Sequence, residues 1–291
     1  KTDIENIIVT SGASEAIYMC SQAFFDKGDE ILLPDPSFLS YESCMKLSES
    51  TPVSVECYMD NDLKLKIEDV KEKITSKTKA IILNSPCNPS GAVMEKEDVK
   101  AIADLSEDHD FIIISDEIYE KIIYGKKHYS PGEYSDNVIT INGFSKAYAM
   151  TGIRIGYLNA GENLNEELLK IHQYCIACAS SIGQIGAIEA LKGPQDSVKK
   201  MVSEFKRRRD LITSRLIEMG YETPIPEGAF YVYPKVENPM EFVKKAADNG
   251  VITVPGIPFG KNGDKHVRMS YANSYENIEK AMDILETLNY N

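Results

Sequence analysis

Short apolar runs rich in isoleucine and valine alternate with longer amphipathic stretches through the first two thirds of the chain. This alternation is typical of a covered parallel sheet whose strands are joined by crossover helices. Strands are predicted over Ile7–Val9, Glu30–Leu33, Ala80–Asn84, Phe111–Ser115, Val138–Ile141 and Arg154–Leu158. Helices are predicted over Ser14–Phe25, Ser37–Ser48, Ile67–Ile74, Glu95–Ser106 and Glu166–Tyr174. We therefore expect an α/β fold that binds its ligands just beyond the carboxyl ends of the strands.

The pattern changes after Pro194. A long charged helix is predicted over Ser197–Met219, followed by a β-like segment at Gly228–Tyr233. Further helices are predicted near Met240–Asn249 and Tyr275–Leu288. We interpret residues 1–195 as a large domain and residues 196–291 as the connecting helix and a smaller α+β domain.

The charge balance argues against nucleic acid as a partner. The 291 residues include 32 basic and 45 acidic side chains, a net charge of −13, so a phosphate-backbone-binding surface is not expected. The basic triplet Arg207–Arg209 is interspersed with acids and is predicted to form a solvated helix face. No apolar run approaches the roughly 18 residues needed to span a bilayer, and Lys1–Asp3 begins no signal peptide, so we expect a cytoplasmic protein without membrane contact.

The six cysteines are scattered through apolar segments, which favours reduced, buried thiols. Only the pair Cys175 and Cys178 has the spacing of a metal or redox site. It lacks a second such pair and a nearby histidine pair, so packing is the favoured interpretation, and no metal ligands are predicted. The four histidines lie in no motif and are interpreted as structural or surface residues.

One lysine, Lys146, lies beside small and hydroxyl residues in the nearly uncharged stretch from Asn142 to Gly156. An amine that condenses with an aldehyde must be neutral part of the time, and burial near a cation such as Arg154 lowers a lysine pKa toward that state. The segment closely resembles the lysine segment of class I, aspartate/alanine-type aminotransferases of fold type I, which use pyridoxal 5′-phosphate. The resemblance extends from Ile8 to the C-terminal helix. It implies a large domain with a mostly parallel sheet flanked by helices, plus a smaller α+β domain.

The cofactor phosphate has candidate partners at both ends of this region. Thr10–Glu15 follows a predicted strand and opens a helix, where unpaired N–H groups favour an anion. Gly12, Ala13 and Ser14 are therefore predicted to bind the phosphate, together with Ser145 and the guanidinium of Arg154. The family usually has serine three places before the lysine, where this chain has Gly143, so one phosphate hydrogen bond is expected to be missing.

The cofactor ring has its own candidate partners. Asp116, directly after an apolar strand, can keep a pyridine nitrogen protonated. Tyr119, expected on the same helical face, resembles the family tyrosine that contacts the phenolic oxygen. Asn88, in a segment that matches the family's N-P-x-N-P-[ST]-G apart from an extra Ser85, resembles the second partner of that oxygen and a substrate contact. Phe38 resembles the aromatic residue that stacks on the ring.

Arg268 alternates with apolar residues on a predicted strand and matches the family arginine that binds the substrate α-carboxylate. The resemblance implies ping-pong transfer of an amino group from an L-amino acid to a 2-oxo acid through a Schiff base on Lys146. Asp116 and Tyr119 would support that chemistry. Pro226–Tyr231 and Val254–Gly260 resemble loops near the substrate, without an assigned role.

Several alternatives stay open at this stage. A carbon–sulfur β-lyase would use the same lysine, aspartate and arginine with another substrate pocket. A cofactor-sensing regulator domain is a second alternative. Family members usually carry about a hundred further residues before the position that matches Ile8, so a catalytically impaired fragment is a third. The family also implies a homodimer, and the amino donor stays undetermined among aspartate, alanine and aromatic amino acids.

Overall fold

A computed structural model of the chain describes residues 2–288. Its larger sheet has seven strands in the order β1-β7-β6-β5-β4-β2-β3. These strands are β1 (Ile7–Thr10), β2 (Glu30–Asp35), β3 (Thr51–Glu56), β4 (Thr78–Asn84), β5 (Ile112–Asp116), β6 (Val138–Gly143) and β7 (Gly156–Asn159). Only β7 runs against its two neighbours, and the pairs from β3 to β6 are all parallel. The predicted mostly parallel α/β sheet is confirmed.

Helices cover both faces of this sheet. In chain order the helices are α1 (Ala13–Phe24), α2 (Ser40–Leu47), α3 (Ile67–Lys73), α4 (Lys96–His109), α5 (Glu162–Cys175), α6 (Ser181–Lys192), α7 (Asp196–Glu218), α8 (Pro239–Asp248) and α9 (Tyr275–Thr287). Successive residues of one strand enter different cores: Ile81 and Ile113 pack with α3 and α4, and Ile82 and Ile114 pack with α1. Since side chains alternate along a strand, this two-sided burial explains the continuous apolar runs in the sequence.

A second, smaller sheet lies in the C-terminal part of the chain. Its antiparallel strands β8 (Tyr231–Val232), β9 (Val254–Pro255) and β10 (Val267–Ser270) are ordered β8-β10-β9. A core of Ile212, Met269 and Met282 joins this sheet to α7 and α9. The same core includes Ile118 and Ile122 from the loop after β5, so the smaller sheet packs against the edge where the site lies.

Three elements were not predicted, namely strand β3, helix α6 and the two-residue strand β9. Strand β3 lies at the edge of the sheet and carries Pro52, which weakens a strand pattern. Helix α6 contains Gly183 and Gly186, and its side chains Ile182 and Ile185 are 81% and 68% exposed. Only small residues of α6, such as Ala187, pack into a core of this chain, and no amphipathic period identifies the helix.

Other predictions were wrong in detail. Strand β7 begins at Gly156, and Arg154 precedes it with left-handed backbone (φ +59°). Tyr119 lies in a turn after β5 instead of on a helix. Cys175 and Cys178 are exposed at the end of α5 and in the following loop, contrary to the expected packing role. In residues 2–288, none of the helices has the length and apolar character to cross a membrane.

Candidate active site

A cavity of about 270 Å³ lies at the carboxyl ends of β4 and β5, beside the start of α1. Its lining residues are Ala13, Ser14, Ile17, Phe38, Tyr41, Asn84, Asn88, Asp116, Ile118, Tyr119, Ser145, Lys146, Thr151, Arg154, Tyr231 and Arg268. Every predicted site residue except Gly12 is in this lining, and Gly12 lies directly against Arg154. Segments separated by more than 250 positions in the sequence therefore meet at one cavity.

Lys146 follows β6 and extends into the cavity beside two aromatic rings that pack against each other. Its Nζ lies 5.7 Å from the ring centroids of both Tyr119 and Phe230. Burial lowers the pKa of this amine, the carboxylate of Asp116 raises it, and the cations Arg268 and Arg154 lower it further. Arg154 contributes as expected, but burial is the larger cause. An amine in this setting is more readily neutral, and so more nucleophilic, than an exposed lysine.

Asp116 ends β5 and is 4% exposed. The hydroxyl of Tyr41 donates to its Oδ2 at 2.7 Å, and the backbone N–H of Ile118 donates to Oδ1 at 3.2 Å. Burial raises the pKa of Asp116 to about 6, although the hydrogen bonds from Tyr41 and Ile118 and the charge of Lys146 oppose that rise. The acid thus lies where its charge can be stabilised by a cationic ligand group.

Two supports of Asp116 were missed in the sequence. Tyr41 lies on α2, 75 positions away, and Asn84 ends the neighbouring strand β4 and donates to the backbone carbonyl of Asp116 at 2.9 Å. Asn84 also accepts from the backbone N–H of Asn88 at 2.7 Å. Its position at the end of a parallel strand next to β5 was the available signal, because the carboxyl ends of such strands share one edge of the sheet.

The start of α1 and Arg154 lie together at one corner of the cavity. Gly12 has φ +80°, and a Cβ placed on it would lie 2.5 Å from Nη2 of Arg154. The guanidinium therefore occupies the space that a side chain would need. It also donates to the backbone carbonyl of Thr151 at 3.0 Å. The backbone N–H groups at the start of α1, with Ser14 beside them, complete a corner suited to a phosphate.

Two glycines pack β6, β7 and α1 closely together in this corner. A Cβ on Gly156 would lie 2.9 Å from the backbone N of Ala13, and one on Gly143 would lie 3.1 Å from Cα of Gly156. The glycine at position 143, where the resembled family usually has serine, is thus explained by the close approach of the strands. A serine there would crowd β7.

Arg268 enters the cavity from the smaller sheet. Its Nη1 donates to Oδ1 of Asn88 at 3.0 Å, and its guanidinium carbon lies 4.6 Å from the ring centroid of Tyr231 and 4.8 Å from that of Phe259. Its Nε is buried without a hydrogen-bond partner among residues 2–288. A planar cation with unused donors, held between aromatic rings, is suited to bind a carboxylate.

Tyr231 is a further site residue that the sequence did not single out. Its hydroxyl lies 3.1 Å from that of Tyr119, and both side chains are buried. Burial, followed by the charge of and hydrogen bond with Tyr231, raises the pKa of Tyr119. Tyr119 therefore remains a neutral hydroxyl that can donate to an oxygen in the cavity.

Features away from the cavity are largely structural. Arg207 and Arg208 of the basic triplet pair with Glu204, and Arg209 donates to the carbonyl of Pro226. Glu117, Glu120 and His128 hold their ligand atoms within 4.8 Å of one another, a grouping that the sequence did not predict. The oxygens of Glu117 already accept from Ser115, Ser130 and His128, so this carboxylate serves a hydrogen-bond network.

The chain is similar to aminotransferases over nearly its whole length. A family model described as aminotransferase class I and II matches residues 1–285. A probable aspartate aminotransferase of Methanocaldococcus jannaschii is 49% identical, over 98% of this chain and 78% of its own. An aromatic aminotransferase of Pyrococcus horikoshii has a TM-score of 0.93 at 40% identity, covering 97% of this chain and 79% of its own. The aspartate aminotransferase of Thermus thermophilus with maleate has a TM-score of 0.94 at 35% identity, covering 98% and 76%.

Proposed function

The chain belongs to the family of class I and II aminotransferases and is a transaminase, and from that premise we propose that its cavity binds pyridoxal 5′-phosphate and that Lys146 is the amine that holds it. The family consists of enzymes that use this cofactor. The observation that carries the proposal is the meeting of one half-buried lysine, one buried acid and two arginines around a single cavity. Amino acid and 2-oxo acid are the substrates.

The residues present fit the cofactor's separate chemical groups. The corner of Gly12, Ser14 and Arg154 suits the phosphate, since the absence of a side chain at Gly12 lets the Arg154 guanidinium lie against the start of α1. The buried carboxylate of Asp116 suits a protonated ring nitrogen. With Oδ1 of Asn88 accepting from Arg268, the amide N–H₂ is available for an oxygen of the ring. Ala13, Ser145 and Phe38 also line the cavity, where the first two would complete the phosphate side and Phe38 would cover the ring.

Each side chain then has a defined task. When bound, the cofactor supplies an aldehyde that exchanges for the substrate's amino group and a ring that withdraws electrons. Asp116 holds a proton on the ring nitrogen, and Tyr119 donates to the phenolic oxygen. Arg268 binds the substrate α-carboxylate, which fixes the Cα–H bond in front of Lys146. With the cofactor bound, the free amine of Lys146 would take the proton from the substrate Cα and would return it to the cofactor carbon C4′.

We propose L-aspartate as an amino donor, because the relative that is 49% identical is named a probable aspartate aminotransferase. The α-carboxylate would lie on Arg268. The three cations that line the cavity are Lys146, Arg154 and Arg268, and each has a task above. The side-chain carboxylate of aspartate therefore requires a cation from outside this lining. That requirement makes a donor screen informative.

Assembly and organisation are also proposals. We propose a homodimer, supported by the exposed apolar side chains Ile182, Ile185, Ile188 and Leu191 on α6, which a second copy would cover. Light scattering at several protein concentrations tests it. We propose residues 1–195 as the cofactor-binding domain and 196–291 as the smaller domain, supported by the two separate sheets. A reducing, cytoplasmic setting is supported by six cysteines that form no disulfide.

Borohydride reduction tests the lysine assignment directly, because it fixes a carbonyl cofactor to the amine that holds it. After reconstitution, reduction and digestion, the labelled peptide should contain Lys146. A label on another lysine, or none, contradicts the assignment. A screen of aspartate, alanine and aromatic amino acids then tests the reaction through the absorbance change of the bound cofactor. Pyruvate released from cystathionine without an added oxo acid would instead indicate a β-lyase.

A further inference from the structure

Asp35 is a buried carboxylate that the proposed reaction does not use. It ends β2 and is 4% exposed. No lysine or arginine within the described part of the chain forms a salt bridge with it. Its oxygens accept instead from two successive backbone N–H groups, those of Lys261 and Asn262, each at 3.1 Å. A buried charge satisfied in this way fixes the backbone that donates to it.

The donors belong to a loop of the smaller sheet, Gly256–Gly263, which connects β9 to β10. The side-chain amide of Asn262 also donates to the backbone carbonyls of Asp35 and Cys57. On the other side of Gly260, the N–H of Ser37 donates to the carbonyl of Phe259 at 2.7 Å. The loop is thus attached to the end of β2 at both sides of one residue.

Gly260 makes this attachment possible. It has φ +135°, and a Cβ placed on it would overlap the Asp35 carboxylate. The carboxylate therefore lies directly against the loop backbone. The motif Val254–Gly260, for which the sequence suggested no role, is explained by this contact.

The attached loop also carries one side of the Arg268 site. Phe259, which immediately precedes Gly260, presents its ring 4.8 Å from the guanidinium carbon of Arg268. On the opposite side, β2 continues into Phe38, which lines the cavity. The contact between Asp35 and the loop is therefore a short connection between the residue proposed to cover the cofactor and the residue proposed to bind the substrate.

We propose that Asp35 is a positioning residue that fixes the Gly256–Gly263 loop and thereby sets the place of the Arg268 guanidinium relative to the cofactor-binding side of the cavity. The inference rests on the proposed function, because it takes Arg268 as the carboxylate-binding residue. Asp35 touches neither reacting atoms nor substrate. It should therefore control substrate affinity while leaving cofactor affinity nearly unchanged.

The test compares Asp35→Asn with the wild type, both reconstituted with pyridoxal phosphate. The amide keeps the shape but presents one donor group to backbone N–H groups, so one of the two bonds is lost. A displaced guanidinium should weaken the binding of maleate, followed by the cofactor absorbance, about tenfold. The KM for L-aspartate should rise by a similar factor with a smaller change in kcat, and the Kd for the cofactor should change less than about twofold.

A second readout uses the cofactor-free protein. Hydrogen exchange of the amides of Lys261 and Asn262 should become about tenfold faster in Asp35→Asn, because the local opening free energy falls. Asp29→Asn is the matched control, since Asp29 accepts from a backbone N–H in a surface turn at 2.9 Å. If Asp35→Asn fails to fold, Asn262→Ala loosens the same loop attachment, since it removes the side-chain bonds from Asn262 to the backbone carbonyls of Asp35 and Cys57, and unchanged maleate binding in that variant overturns the inference.

The outcomes separate this inference from the proposed function. Weaker maleate binding in both Arg268→Lys and Asp35→Asn, with faster exchange only in Asp35→Asn, supports both. Weaker binding in Arg268→Lys alone overturns the role of Asp35 and leaves that of Arg268 intact. Unchanged binding in Arg268→Lys, or none in the wild type, overturns the substrate assignment and this inference with it. If Asp35→Asn loses cofactor affinity by the same factor as maleate affinity, Asp35 has a general structural role and the inference is overturned.

Discussion

The two sides of the cavity are held in different ways. The sheet wall, which we define as Ser14, Asp116, Lys146 and Arg154, comes from segments next to strand ends of the seven-stranded sheet. The loop wall, defined as Tyr231 and Arg268, comes from the smaller sheet. The sheet wall takes its geometry from strand pairing and a large core. The loop wall lies on the short paired strands β8 and β10, and hydrogen bonds to Asn88 and Tyr119, which are distant in sequence, connect it to the rest of the cavity.

This difference predicts separate consequences for mutations. Changes in the sheet wall should alter cofactor attachment and the chemical step. Changes in the loop wall should alter substrate affinity while the cofactor stays bound. The experiments below test that separation, beginning with the largest expected effect.

Lys146→Ala should reduce the rate of the half-reaction by at least about 10³-fold, since it removes both the attaching amine and the general base. The visible absorbance of the covalently held cofactor should also disappear. Stopped-flow absorbance measures both. Lys199→Ala, at an exposed position of α7, is the matched control and should behave as the wild type. Retention of both signals in Lys146→Ala would end the assignment.

Arg268→Lys should raise the KM for L-aspartate by about 30-fold, because an ammonium group cannot replace a bidentate guanidinium. The Kd for the cofactor should stay within about twofold of the wild type, because the change lies in the loop wall. Steady-state kinetics and a cofactor titration separate the two quantities. A large loss of cofactor affinity would show that the two walls are not independent.

Asp116→Asn should make the cofactor-free protein more stable at high pH. Burial raises the pKa of Asp116 to about 6 in the folded protein. The wild type is therefore most stable at a pH below the pKa of this carboxyl in the unfolded chain, where it is protonated in both states. It loses stability as the pH rises through the pKa of the folded protein, because the buried carboxyl then becomes charged. The free energy of unfolding of the variant minus that of the wild type should be roughly 2 kcal/mol larger at about pH 8 than at about pH 4. Urea unfolding measures this difference. A gain that does not depend on pH would indicate another cause.

Tyr119→Phe should have the smallest effect, because it removes one hydroxyl that links the two walls. Loss of its bond to Tyr231, at 3.1 Å, should cost about 1 kcal/mol, and the half-reaction should slow about fivefold. Tyr231→Phe serves as the comparison, because it removes the same bond while leaving the Tyr119 hydroxyl in place. Equal effects would mean that the bond between the hydroxyls matters more than the bond of Tyr119 to the cofactor.

Sequence was most informative for the sheet wall. Asp116 and Lys146 follow buried strands, and local pattern alone predicts that such residues lie at the edge of a sheet. Arg154 was predicted as a site residue on a strand, but its left-handed backbone, two positions before the close contact of Gly156 with α1, was not predicted. The hydrogen bond from Tyr41 to Asp116 joins residues 75 positions apart, and local periodicity cannot predict such a contact.

The loop wall shows the same limit more strongly. The matching motif predicted Arg268, but the bonds between Asp35 and the loop at Lys261 and Asn262 span 226 and 227 positions. Helix α6 was missed because its large apolar side chains, such as Ile182 and Ile185, face away from the chain's own core. In each of these cases the deciding partner is distant in sequence or lies outside the chain's own interior.

Gly156 carries a further consequence for anyone who redesigns this site. Because this position has no side chain, the backbone of β7 lies in direct contact with the backbone of the first turn of α1. Replacing the glycine with a residue of higher strand propensity would displace α1 from β7 by the thickness of a methyl group. The N–H groups of the helix would then lie farther from Arg154. The position of Arg154 relative to the N–H groups of α1 thus depends on this backbone contact. Transplanting the phosphate corner to another scaffold requires moving β7, with its glycine, together with the helix.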